Sequence, residues 1–387
     1  MEDKAGAVAV TKKQLIIAGS ILAGTLPVLA AVLPEDRADA MYHSYDGGGV
    51  EINGPSILVR KSMSNNTSFS ANYYIDSITS ASIDVVTSAS AYTEERTEYS
   101  VSGDYLHNKT TMSLAYTQSS ENDFEAQSAH FSFSQDMFGD LTTVTMGYSR
   151  GWDEVGKTGD SNFSEEVDRQ HYRVGLSQIL TKSLITEFGW EIITDEGYLN
   201  NPYRTVRFID PENLTQYKRE LELYPNTRTS SALAARAMYY LPYRASIHAS
   251  YRFYQDTWGI NGHTYQIGYT HPYKKNWVFD IKYRQYNQNS ADFYRDLFLR
   301  EGELTFRARD KELSTFSTQT IGFAVSYEFA FSSLPFIKKS SINLVYDHIM
   351  FDYDNFRDLR VKNVNAGEEP LYGFSANVIQ LYFSMWY

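Results

Sequence analysis

The chain closes on Ile379-Gln380-Leu381-Tyr382-Phe383-Ser384-Met385-Trp386-Tyr387. Taken by twos from the end, Tyr387, Met385, Phe383, Leu381 and Ile379 form an unbroken apolar row, while the intervening residues are mixed. A period of two is that of a β-strand with one face in an apolar medium. No polar tail follows the last aromatic residue. The strand is therefore expected to be paired to its end, with its apolar face covered by a second layer of structure or by lipid.

The same alternation recurs upstream. From about Ser56 the chain reads as a succession of roughly ten-residue alternating segments, the pattern of membrane-spanning strands. Examples are Phe69-x-Ala71-x-Tyr73-x-Ile75, Val144-x-Met146-x-Tyr148, Trp277-x-Phe279-x-Ile281-x-Tyr283 and Ile321-x-Phe323-x-Val325-x-Tyr327. Short turns are expected at Asn65-Asn66, Asn108-Lys109, Phe138-Gly139-Asp140, Thr181-Lys182, Pro242-Tyr243-Arg244, 272–276 and 332–338. Longer connections fall at 78–93, 153–167, 194–226, 288–313 and 352–372. This predicts an all-β, single transmembrane antiparallel β-barrel with short periplasmic turns and long extracellular loops.

Parity sets the strand number. The strand through 56–62 must run from outside to inside, so one upward strand has to precede it. Met41 to Tyr45 or Val50 to Ile52 could supply it, with Gly47-Gly48-Gly49 as the turn. The total is about 16 strands, with 14 and a lumenal N-terminal segment as the alternative.

Composition agrees with a barrel. The 387 residues show no linker after the first forty, so one large domain is the simpler reading. Mean hydropathy is −0.41, too polar for a helical membrane protein, yet the chain carries 31 Tyr and 22 Phe. Strands apolar on one face only, with tyrosine at the interfaces, combine these two properties. A net charge of −12 argues against nucleic acid as a partner, and the absence of cysteine rules out thiolate chemistry, covalent haem attachment and disulfides.

Residues 1–40 read as a cleavable secretory signal peptide and 41–387 as the barrel. Lys4, Lys12 and Lys13 flank an apolar run from Leu15 to Leu33 that is weakened by Gly19, Gly24 and Pro27. Ala38-Asp39-Ala40 offers an A-x-A cleavage site before Met41, and a cut after Ala30 is the other option.

Residues alternating with the apolar stripes should line the lumen: Asp76, Glu98, Asp104, His171, Arg173, Glu187, Glu191, His248, Arg252, Asp256, Asp280, Lys282, Arg284, Glu328 and Asp347. Facing lipid near the midplane, each charge would cost about 2–4 kcal/mol, which supports the inward assignment. A solute path and an internal ionic network that stiffens the wall both fit this pattern.

The loops are rich in small polar residues, carboxylates and tyrosine. They include Asp76-Ser77-Ile78-Thr79-Ser80 and the residues to Ser90, Ser119-Ser120-Glu121-Asn122-Asp123-Phe124, Thr194-Asp195-Glu196-Gly197-Tyr198-Leu199-Asn200-Asn201-Pro202-Tyr203-Arg204, and Ala308-Arg309-Asp310-Lys311-Glu312-Leu313-Ser314. Together with Tyr45-Asp46-Gly47-Gly48-Gly49, Gly54-Pro55 and Asp256-Thr257-Trp258-Gly259-Ile260, they resemble a family of Gram-negative outer-membrane proteins known only as a domain of unknown function. The final strand likewise resembles the C-terminal assembly signal of bacterial outer-membrane barrels, with Ile379, Leu381, Phe383, Met385 and Tyr387 as its residues. The resemblance implies an outer-membrane β-barrel that partners outer-membrane lipid and the barrel-assembly machinery. It also implies a setting near a small lipoprotein, a periplasmic flavin transferase and a thioredoxin-like protein, hence an extracytoplasmic redox or metal-handling system. It carries over no catalytic residue.

Loop candidates for binding are Glu121, Asp123, Asp195, Glu196, Asn200, Asn201 and Arg204. The sets Glu121/Asp123, Asp195/Glu196 and Glu165/Glu166/Asp168 have the oxygen chemistry of a Ca²⁺ site but no EF-hand register. Solvated or paired carboxylates are the plainer reading, and no other cofactor is expected. Ser119 and Ser120 have no histidine at a spacing that would supply a base, so no enzyme is expected. The leading expectation is a channel or transport-like barrel for small solutes or ions. A scaffold for a lipoprotein or periplasmic redox partner comes next, and an outer-rim hydrolase last.

Overall fold

The computed structural model describes residues 32–80, 92–331 and 333–387. Most of the expected signal peptide, the long stretch 81–91 and Ser332 lie outside the described residues. Sixteen antiparallel strands close into a barrel. They are β1 (Arg37–Gly47), β2 (Val50–Ser64), β3 (Thr67–Ser80), β4 (Tyr92–His107), β5 (Thr110–Ser120), β6 (Phe124–Met137), β7 (Thr142–Gly156), β8 (Ser164–Thr181), β9 (Leu184–Gly197), β12 (Thr227–Tyr240), β13 (Ser246–Asp256), β14 (Asn261–Tyr273), β15 (Trp277–Gln288), β16 (Phe316–Phe329), β17 (Lys339–Arg357) and β18 (Leu371–Trp386). A separate hairpin, β10 (Thr205–Asp210) with β11 (Asn213–Leu221), belongs to the connection between β9 and β12. Each strand pairs with its sequence neighbour, except that β9 meets β12 and β1 closes on β18.

The alternation read from the sequence is realised on the outer surface. Leu114, Val101, Ile267, Ile281 and Phe188 are each more than half exposed on the outward face. An apolar belt continuous around a barrel is unfavourable in water and stable in hydrocarbon, where closure also leaves no strand edge unpaired. This outward row includes Ile379 and Leu381. Phe383 continues it and packs near Phe329.

The seam is more extensive than the sequence suggested. β1 begins at Arg37 rather than Met41, and its partners run from Arg37↔Trp386 to Gly47↔Ala376 on one side and from Arg37↔Arg60 to Gly47↔Val50 on the other. Ala38, Asp39 and Ala40 thus lie inside a strand paired on both sides. Cleavage after Ala40 would remove the start of that strand, and cleavage after Ala30 would leave it whole. Gly47-Gly48-Gly49 is the expected turn, with φ +61° at Gly48 and +80° at Gly49. Two successive positive φ values match the twist of a tight hairpin and favour glycine at both positions. Tyr387 follows β18 and donates its backbone N–H to Asp36 O at 3.2 Å.

All the expected short turns lie at one end. The opposite end is mixed, which departs from a strict alternation of short and long connections. Residues 121–123, read as part of a loop, and 257–260 are tight turns between β5 and β6 and between β13 and β14. At the second, Asp256 Oδ1 accepts the N–H groups of Trp258 (2.9 Å) and Ile260 (3.0 Å), which closes the turn locally. The 153–167 connection is also shortened, because β7 runs to Gly156 and β8 starts at Ser164.

Candidate functional site

The barrel encloses a cavity of about 1020 Å³ whose lining comes from β4 to β9, β12 to β17 and the segment before β16. It runs from Thr143, Ser177 and Asp280 near the short turns to Ile260, Glu312, Leu313 and Phe316 beneath the long loops. Strands β1 to β3 and β18 border a filled part of the lumen instead. There Asp76 is fully buried, 2.8 Å from His43 Nε2 and 2.6 Å from Arg96 Nη2, and the His43 ring stacks on Tyr74. Nearer the long loops, Ile349, Ala376 and Val378 pack with Tyr45, Phe351 and Phe374. The open space is therefore off axis.

Ten of the expected lumenal residues line the cavity: Glu98, His171, Arg173, Glu187, Glu191, His248, Arg252, Asp280, Lys282 and Arg284. Glu191 is the centre of one network, with one oxygen accepting from Arg252 and the other 3.2 Å from His171 Nε2. Lys282 Nζ on β15 reaches Asp347 on β17 at 2.9 Å, across the intervening strand β16. Gly322 makes this reach available, since a Cβ there would stand 2.2 Å from Asp347 Oδ1 and 2.4 Å from Lys282 Cε. Asp280 accepts from Thr270 Oγ1 at 2.5 Å. Asp104 is buried away from the cavity, against Arg60 and Ser113.

Two expectations change in role. Asp256 has the inward register but sits at the strand end, where Oδ2 accepts from Tyr254 (2.8 Å) and Arg228 Nε (2.9 Å) and Oδ1 closes the turn. Glu328 also has inward parity, yet it is exposed at the short-turn rim, its backbone held by Asn276 O. Arg60, Arg96 and Arg236 share the parity of the named residues, so the alternation that exposed those residues could have found these as well.

The loop candidates build architecture. Asn200 Oδ1 accepts the Tyr224 N–H at 2.5 Å, Asn201 Oδ1 accepts the Tyr203 N–H at 2.9 Å, and Arg204 pairs with Asp310. Asp123 is buried and accepts from the Tyr203 hydroxyl, and burial pushes its carboxyl above the usual range. Asp195 belongs to β9 and lines the cavity 3.9 Å from Arg169, whereas Glu196 is exposed. Glu121 donates its backbone N–H to Phe124 O across the tight turn. Among the described residues, no group of three or more His, Asp or Glu side chains is arranged to hold a metal ion. Ser119 Oγ has no hydrogen-bond partner, Ser120 donates to Glu125, and His130 stands opposite Ala115, further along the wall. No Ser–His pair forms among them.

Three long connections cap one end of the cavity. Arg207 on β10 is 1% exposed and donates to Glu369 Oε1 (2.5 Å) and Oε2 (3.1 Å) and to Asp296 O (2.8 Å), with an ion pair to the Asp296 carboxylate. Arg309 reaches the same Asp296 carboxylate at 2.9 Å and stacks over Phe356. Burial works against the charge of Glu369, but the Arg207 bonds hold its carboxyl below the ordinary value. Beside this hub, Glu222 accepts from Arg309 N (2.7 Å) and Tyr224 OH (2.6 Å). Burial pushes its carboxyl up to about 7, against the pull of Arg204 and with Asp310 adding to the rise. A single 3-10 turn, Lys311–Leu313, then descends into the lumen, tied to β15 by Gln288 Nε2 through Glu312 O and Ser314 O at 2.9 Å each. No period marks these loop residues in the sequence, so pattern alone could not single them out.

Residues 163–344 match the model of a family described as protein of unknown function (DUF3570), which bears out the family resemblance read from the sequence. The match runs from just before β8 into β17 and includes Asp256-Thr257-Trp258-Gly259-Ile260 and 308–314. No curated protein matches the chain. Among solved structures, a bacterial polysaccharide outer membrane secretin is similar with a TM-score of 0.49 and 8% identity, over 92% of this chain and 99% of that one. The siderophore receptor PirA from Pseudomonas aeruginosa has a TM-score of 0.43 and 7% identity, over 91% of this chain and 63% of the receptor. This chain thus spans less than two thirds of that receptor's length. A Pseudomonas aeruginosa FadL homologue has a TM-score of 0.42 and 10% identity, over 92% and 91% of the two chains.

Proposed function

We propose that the protein is an outer-membrane barrel that admits small polar solutes or ions to its lumen, in a channel or transport-like role. The observation that carries this reading is the cavity of about 1020 Å³ running along the barrel beneath the loop cap, with charged residues of facing strands such as Glu191, Arg252 and Arg284 in its lining. A wall built only to stiffen the barrel would be packed through, as it is around Asp76 and His43. Beside the cavity, cross-wall ion pairs such as Lys282–Asp347 hold side chains back against the strands and leave the space free. In this reading the short turns face the periplasm and the cap faces outward. Reconstitution of the purified barrel in a planar bilayer tests the proposal. Discrete conductance steps are expected, and a silent membrane containing folded, heat-modifiable barrel would overturn it.

A further inference from the structure

Most cations of the cavity wall are matched: Arg252 to Glu191, Lys282 to Asp347 and Arg236 to Glu187. Arg173 and Arg284 differ, because neither has a carboxylate within 4.0 Å among the described residues. No register or along-strand neighbour of Arg284 is a carboxylate. Its register partners are Gln266 on β14 and Thr320 on β16, and its inward neighbours along β15 are Lys282 and Tyr286. Ser250 on β13 faces Gln266, and the next inward residue on that strand is Arg252. Arg252 and Arg284 thus stand two strands and two residues apart, about 12 Å at the backbone, with Thr264 and Gln266 between them. The carboxylates that could neutralise this stretch are engaged, Asp347 by Lys282 and Glu191 by both Arg252 and His171. Asp280 lies four residues down β15, about 13 Å away along the strand, and is bonded to Thr270.

We propose that Arg284, with Arg252 beside it, forms an anion-binding subsite of the lumen that takes the carboxylate or phosphoryl group of a small solute. A guanidinium presents paired N–H donors in a plane that matches two oxygens of such a group, and the Gln266 amide and Thr320 hydroxyl are the neutral polar groups at the same level. The inference rests on the reading of the lumen as a solute space and narrows it to oxyanions.

Isothermal titration of citrate and of inorganic phosphate into the detergent-solubilised full chain at low salt tests it. Saturable binding of at least one anion is expected, weakened tenfold or more in Arg284→Gln and retained in Arg284→Lys. Lys109→Gln makes the same charge change at the short-turn rim, away from the cavity lining, and is expected to bind as the parent does. Gln266→Glu keeps the arginine and places a carboxylate beside it, so it should abolish binding even if Arg284→Gln fails to assemble. Absence of binding of either anion to the parent chain, or unchanged binding in Gln266→Glu, overturns the subsite. Bilayer currents without anion binding defeat the subsite alone, whereas anion binding by a silent barrel defeats the channel reading alone.

Discussion

At the scale of single residues, the wall depends on where side chains are missing as much as on where they are charged. Gly322 leaves the gap through which Lys282 meets Asp347, two partners 65 residues apart in the chain. Gly322→Val should force them apart and crowd the inner wall, a cost of about 1–3 kcal/mol. The expected outcome is a lower temperature at which the folded band converts to the unfolded one in unboiled gel samples. An unchanged temperature would show that the pair reseats around the new side chain. Alternation marks Lys282 and Asp347 as inward, but their pairing is absent from the sequence because it is a relation across a third strand.

At the scale of elements, the cap joins buried charge to apolar clusters, Tyr224, Trp258, Phe293 and Leu313 in one and Val206, Phe208 and Phe298 in another. Removing one partner of a buried ion pair strands the other, at about 3–5 kcal/mol. Arg207→Met is therefore expected to loosen the β10–β11 hairpin and speed proteolysis at Lys218 and Arg219, while the barrel keeps its heat-modifiable mobility. Equal proteolysis rates would mean that the apolar contacts of Val206, Phe208 and Phe298 suffice. Glu222 makes the same cap sensitive to pH. Its carboxyl sits near about 7 in the folded cap against the ordinary 4.5, so between these values the folded state holds a proton that the opened state releases. The contribution is fully present below about 4.5 and is lost as pH rises to about 7. Hydrogen exchange across residues 204–224 should be slower at about pH 5 than at about pH 8 after correction for intrinsic rates, and Glu222→Gln should flatten the difference. Exchange with no such dependence in the parent chain would remove Glu222 as its source.

At the scale of the whole molecule, closure is the decisive step. The terminal tyrosine contributes to it directly, since Tyr387 OH donates to Arg60 O at 2.9 Å and Lys61 lies 5.0 Å from the centre of its ring. Deleting Tyr387 is expected to lower the amount of folded barrel in the membrane. Normal levels of the truncated protein would show that the remaining β1–β18 pairing is enough.

The stretch from Ile379 to Tyr387, with the alternation repeated upstream, determined by itself that this chain is an antiparallel barrel of about 16 or 14 strands, which face of each strand meets lipid, and where seven of the short turns lie. The side-chain period of two is a local property that solvent on one side and hydrocarbon on the other impose on every strand. Tertiary structure alone decided that β1 begins at Arg37, that one side of the lumen is filled and the other open, and that Arg207, Asp296 and Glu369 join three loops into a cap. It also decided which charges cancel: Lys282 finds Asp347 across a glycine, and Arg284 has no carboxylate within 4.0 Å among the described residues. Those outcomes depend on shear, on strand order around the ring and on loops without periodicity, so they arise only when distant segments are brought together.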